Sequence, residues 1–217
     1  MQNQVAINQC RNATTGTSYT LTDTRDTNTY TVKKLADGKC WMTQDLRLTG
    51  SRRFYSTDSN ISATYWDLPA VNTSLPSTSC VDTAYNMSSG DTTYGYYYNW
   101  YAATAGTGTC SMTSSDAGSS ICPKGWRLPT GGSSGEFQAL YNKYSSVSAM
   151  MGDPAFVLSG GRFGSNTRSQ GSGGYYWSST AANSAYSVYH LGLSSSGVLP
   201  ANTNTKYNGF TLRCVAK

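Results

Sequence analysis

The sequence predicts an α+β protein whose strands are concentrated in its C-terminal half. Two observations carry this expectation: one segment, 133–144, has a clear helical period, and several short aromatic and branched runs are separated by Gly- and Ser-rich turns. At 217 residues the chain is long enough to bury a core without depending on cross-links, and one domain spanning 1–217 is expected.

In chain order, residues 18–35 read as a hairpin: Tyr19 and Leu21, a polar turn at Arg25-Asp26-Thr27-Asn28, then Tyr30, Val32 and Leu35. Asp37-Gly38 is a turn signal that leads into Cys40-Trp41-Met42, an apolar triplet expected to be buried. Residues 50–95 are rich in Ser, Thr, Asn and Asp with little periodicity and predict a long irregular insertion, with Cys80 and Cys110 as candidates for tying it down. The aromatic run Tyr94–Tyr101 predicts a short buried helix or strand. Over 133–144, Ser133 and Glu136 have capping-box spacing, while Phe137, Leu140, Tyr141 and Tyr144 share one face. Beyond that helix, Phe156–Leu158, Tyr175–Trp177, Ala185–Leu193 and Phe210–Val215 read as strands.

Charged residues make up 12% of the chain, so hydroxyls and amides keep it in solution more than ion pairs do, a habit of secreted proteins. The formal charge is +5, yet only Lys33-Lys34 and Arg52-Arg53 are adjacent, which excludes a basic stripe for nucleic acid. The cysteines lack the short paired spacings of zinc or redox sites and read as disulfides; six allow fifteen pairings, and spacing does not choose among them. A Cys122–Cys214 bond would close a loop whose entropic effect is roughly 4 to 5 kcal/mol. Disulfides imply an extracellular or cell-surface location. Met1 is followed by polar residues, so an N-terminal signal or anchor outside this sequence is expected, and membrane attachment only through it.

Five segments together resemble the Fibrobacter succinogenes major paralogous domain family, which is related to the variable proteins of diversity-generating retroelements. They are Asp26–Leu46 (DTNTYTVKKLADGKCWMTQDL), Tyr98–Ala103 (YNWYAA), Ile121–Leu140 (ICPKGWRLPTGGSSGEFQAL), Tyr176–Thr180 (YWSST) and Gly209–Val215 (GFTLRCV). The resemblance implies a C-type-lectin-like fold: a small antiparallel sheet, flanking helices and long loops supporting a surface made by the last strands. It also implies scaffold roles for Trp126 and Trp177 and a structural disulfide role for Cys122 and Cys214. The residues themselves agree for the tryptophans, because Pro123-Lys124-Gly125 is turn chemistry and a large ring after it is more often core than ligand site.

The resemblance further implies a variable ligand-binding region at about 180–213. Along 185–193, Tyr189, Leu191 and Leu193 alternate with Val188, His190 and Gly192; if the leucines face inward, the other set faces solvent, with loops following over 194–208. Folding gives no evident reason for His or Gly at these strand positions. Retroelements of this type mutate template adenines, and the AAY codons so varied never yield Lys, Glu, Gln, Met or Trp; residues 181–205 contain none of these. The expected variable positions are Asn183, Ser187, Val188, His190, Gly192, Ser194, Leu199, Ala201, Thr203, Thr205, Asn208 and Thr211. Short polar groups mixed with Tyr also describe antibody-like binding surfaces.

Catalysis has little to draw on. The chain has one Glu, Glu136, read as a helix cap, and one His, His190, on the expected variable face, so no catalytic residue is expected. The sugar motifs of calcium-dependent lectins, Glu-Pro-Asn and Trp-Asn-Asp, do not occur, and Asn99-Trp100 reads as packing. No metal site or cofactor is expected, and a structural calcium held by loop carbonyls would leave no motif to read. The partner is expected to be a protein or cell-surface ligand, bound by a diversified receptor or adhesin or, alternatively, by a constant adhesin or carbohydrate-binding module of the cell envelope.

Overall fold

A computed structural model describes residues 2–48, 50–72, 80–87 and 93–217. Helix α1 (Gln2–Asn12) lies against the hairpin β1 (Ser18–Thr22) and β2 (Thr29–Lys34), with Ala6, Ile7 and Cys10 buried. Helix α1 was not expected, because Gln and Asn surround its short apolar set and mask the helical period. The hairpin forms as expected, with Leu21 opposite Tyr30 and Tyr19 opposite Val32. Its turn is held by Arg25, whose guanidinium donates to both oxygens of Asp23.

Strand β3 (Cys40–Met42) is buried throughout and continues this sheet beside β2. After β3 come β4 (Arg52–Tyr55), β5 (Ser59–Asn60) and β6 (Tyr65–Leu68). The expectation of a mostly irregular insertion is corrected over its first part: β4 and β6 pair as antiparallel neighbours, because Phe54 and Leu68 both reach the core. Parts of 50–95 lie outside the described residues. Helix α2 (Trp100–Ala103) follows, capped by Asn99, whose Oδ1 accepts from the Ala102 amide at 3.1 Å. Asn99-Trp100 is therefore packing, as read, and Asn99 also caps the helix, which was not expected.

Strands β7 (Ser120–Pro123) and β8 (Trp126–Arg127) lead to α3 (Glu136–Tyr144) and α4 (Val147–Gly152). Phe137 and Leu140 are buried as the helical period predicts, but the capping box does not form. Gly135 is the N-cap, and the Glu136 carboxylate turns to Arg127, which donates to it at 2.6 and 2.7 Å. A charge-assisted fork outcompetes a single cap bond.

The remaining elements are β9 (Gly161–Phe163), β10 (Asn166–Arg168), β11 (Gly173–Ala181), β12 (Ser187–Ser194), β13 (Gly197–Thr205) and β14 (Val215–Ala216). One sheet runs β1-β2-β3-β14-β8 and another β11-β12-β13, beside the small pairs β9-β10, β4-β6 and β5-β7. All ladders are antiparallel, so the architecture is mixed α and β with small antiparallel sheets. Two expected strands change character. Phe156–Leu158 runs outside any ladder: the Val157 amide donates to the Tyr176 hydroxyl, which donates back to the Val157 carbonyl. Of Phe210–Val215 only Val215 enters a ladder, while Phe210 and Thr211 make isolated bridges.

Disulfides join Cys10 to Cys40, Cys80 to Cys110 and Cys122 to Cys214. The last spans 92 positions, for which chain entropy gives roughly 4 to 5 kcal/mol. Such bonds persist in oxidising surroundings outside the cytoplasm. No helix among the described residues is long and apolar enough to cross a membrane.

Candidate binding surface

The three-stranded sheet has an apolar cluster on each side. Tyr176, Leu191, Leu193 and Val198 pack with Phe137 and Leu140 of α3, while Trp177, Ala181 and Val188 join the other cluster. As the middle strand, β12 is therefore covered on both faces. The cross-strand register arranges the second face in rows: Tyr175, Gly192 and Leu199; then Trp177, His190 and Asn202; then Ala181, Val188 and Asn204.

This arrangement corrects the expectation that Val188, His190 and Gly192 face solvent. Val188 and His190 are fully buried and Gly192 is buried with them. The cause is a non-local aromatic cover: His190 lies 5.1 Å from the Phe210 ring, 5.9 Å from Tyr175 and 6.1 Å from Trp177. Asn208 and Thr211 are buried too, each used by the fold. Asn208 donates to Asn204 at 2.7 Å, and the Thr211 hydroxyl donates to the Tyr175 carbonyl at 3.0 Å.

The other expected positions do reach the surface. Asn183 and Thr203 are exposed, Leu199 is 58% exposed, and Ser187, Ser194, Ala201 and Thr205 are half-buried. Leu199, Ala201, Thr203 and Thr205 belong to a strand, β13, where a loop was expected. β13 is the sheet's edge, and Pro200, which has no amide proton, sits beside the register shift between His190 and Gly192. Edge strands and bulges are where Pro is tolerated. A concavity of about 270 Å³ runs along it, lined by Gln138, Leu199, Pro200, Ala201 and Asn202.

Two residues of this surface were missed. Asn202 and Asn204 share the His190 face, and each has its Oδ1 taken by the next backbone amide, at 2.9 Å from Thr203 and 2.8 Å from Thr205. That geometry leaves the side-chain N–H donors of Asn202 without a partner among the described residues. The Asn-Thr-Asn-Thr alternation at 202–205 is a period-2 signal that would have found them.

Rigid support surrounds the sheet. The Lys206 ammonium, 2% exposed, donates to the carbonyls of Thr109, Cys110, Met112 and Ala185 at 2.6 to 3.2 Å and lies 5.0 Å from the Trp100 ring. Burial pushes its pKa down to about 8. Arg213 is buried against Asp45 at 2.7 Å and donates to the Pro154 and Ala155 carbonyls, each at 2.9 Å. Trp126 and Trp177 are fully buried, and the Trp177 indole donates to the Tyr98 carbonyl at 2.8 Å. Both fill the core, as scaffold residues do.

His190, like the Trp126 indole nitrogen, is buried without a hydrogen-bond partner among the described residues: neither of its ring nitrogens has one, and burial pushes its pKa down to about 4. Glu136 is the opposite case. Burial alone would raise its carboxyl, but Arg127, the Thr130 amide and Lys39 bring it down to about 2. A second concavity, about 190 Å³, is lined in part by Asp116, Arg127, Ser179 and Lys217. Asp116 there accepts from Ser179 and Thr180, and Arg127 is spent on Glu136. No group of three His, Cys, Asp or Glu side chains placed to hold a metal ion occurs among the described residues.

No family model, curated protein or solved structure matches this chain.

Proposed function

We propose that the chain is a surface-exposed ligand-binding protein whose C-terminal region, about 180–213, is diversified by a retroelement to vary what it binds. One observation carries the reading: β13 presents Leu199, Ala201, Asn202 and Thr203 at the surface, with Asn183 in the turn before β12 and Ser187 as the first residue of β12, on a sheet clamped from both sides. A fixed backbone under replaceable short side chains keeps the ordering cost of binding low. The partner is a protein or cell-surface ligand met outside the cytoplasm. The reading includes no catalysis, since the sole His is sealed among rings and the sole Glu is bound to Arg127.

The burial of Val188, His190, Asn208 and Thr211 favours the second reading, a constant adhesin or carbohydrate-binding module. Sequencing the DNA around the gene separates the two. Diversification predicts a reverse transcriptase and an imperfect repeat of the codons for about 180–213, differing only at adenines and chiefly at the exposed positions. A locus without such a repeat rules it out.

A further inference from the structure

Three cations from distant parts of the chain meet around one open cavity. Arg11 in the last turn of α1, Lys124 in the turn between β7 and β8, and Lys217 after β14 line a concavity of about 260 Å³ with Ile7 and Gly125. No Asp or Glu side chain lines it. All three cations are exposed, and none of them makes an ion pair among the described residues. The Lys124 ammonium reaches a carbonyl, that of Ser56 at 2.5 Å. Lys34 adds positive charge alongside, because its ammonium donates to the Arg11 carbonyl at 3.0 Å.

The backbone under each cation is fixed. The Cys10–Cys40 disulfide holds the end of α1. The Lys124 amide donates to the Asp58 carbonyl and the Lys217 amide to the Gly125 carbonyl, each at 2.9 Å. Like charges are thereby kept close enough to oppose one another. Burial, together with the charges of Lys124 and Arg127, brings the Lys217 pKa down, and Arg127 is itself spent on Glu136. Even an α-carboxylate on Lys217 would leave the cations in excess. An anion seated among them removes the repulsion and favours the charged form of each.

The arrangement selects the kind of anion. A guanidinium forks onto two oxygens, while each ammonium acts as a point charge. Cations approaching from three segments are met by the oxygens of a tetrahedral group better than by the two coplanar oxygens of a carboxylate. Each water in the liquid takes about 30 Å³, so about 260 Å³ admits such a group and the first atoms of whatever carries it. Three cations around one cavity make a point site, unlike the continuous stripe that a nucleic acid needs.

We infer that the cavity between Arg11, Lys124 and Lys217 binds a phosphate or sulfate ester group. The site shares no residue with the β13 surface and stands whether or not that surface is diversified.

Inorganic phosphate, inorganic sulfate, glucose 6-phosphate and glycerol 3-phosphate would be titrated into ¹⁵N-labelled protein at one ionic strength set with sodium chloride, with succinate as the carboxylate probe. The Gly125 amide is expected to shift with phosphate and sulfate and to respond about tenfold more weakly to succinate. Tighter binding of glucose 6-phosphate than of free phosphate would mark a sugar-borne ester, and tighter glycerol 3-phosphate a headgroup; equal binding would mean that the anionic group alone is read. Arg11→Gln, Lys124→Gln and Lys217→Gln, all at exposed positions, should each weaken binding about threefold to fivefold with unfolding temperature unchanged, and the triple variant should lose the response. No shift beyond that of chloride, succinate binding as tight as phosphate, or binding that survives in the folded triple variant would overturn the inference.

Discussion

Strands β12 and β13 are neighbours in one ladder, and both mix small, polar and apolar residues, yet they meet opposite environments. β12 is central, with α3 on one face and the Trp177–Phe210 aromatic layer on the other. β13 is the edge, with Leu199, Asn202 and Thr203 in solvent. The lesson is that freedom to vary follows a residue's place in the sheet more than its type. His190 and Asn202 are cross-strand partners, but one is sealed and the other open.

That contrast can be broken by substitution, beginning with the support beneath it. Arg213→Leu leaves the buried Asp45 carboxylate unpaired and should lower stability by about 3 to 5 kcal/mol in chemical denaturation. Leu191→Ala on β12 opens a cavity against Phe137 and Leu140 and should lower it by about 2 to 5 kcal/mol.

The next test uses pH. A histidine with a folded pKa of about 4, against about 6.5 unfolded, is held neutral by the fold. Its contribution is fully present above about pH 6.5 and is lost as pH falls towards 4, about 3 kcal/mol in all. Denaturation curves for His190→Leu should lose this slope between pH 6.5 and 4. Glu136, with its lowered pKa of about 2, acts in a lower window, between about 4.5 and 2. An unchanged slope in the variant would mean that His190 is not sealed. The smallest effects belong to β13: Leu199→Ser and Thr203→Ala should each move stability by no more than about 0.5 kcal/mol.

The sequence was legible where structure is local. The first hairpin, the Cys40–Met42 triplet, the α3 face and the cores of β11 and β12 all follow from period-2 or helical patterns or from short apolar runs that the chain writes in adjacent residues. What it hid was decided at a distance. The second face of β12 looked free because its cover, Phe210 and Trp177, comes from other segments. β13 looked like a loop because an edge strand of Asn, Thr and Pro has no apolar alternation to reveal it. Glu136 resembled a cap until Arg127, nine positions earlier, was seen to claim it.

The central claim is that binding variety resides on β13, the turn before β12 and Ser187 at its start, while β12 from Val188 on is fixed. The most direct measurement compares two displayed libraries, scored for folding and panned against protein and glycan ligands. One randomises 183, 187, 199, 201, 202 and 203, and the other 188, 190, 191 and 193. The account predicts that most of the first library folds and yields binders, while most of the second is lost to misfolding. Equal tolerance in the two, or binders drawn mainly from the second, would contradict it.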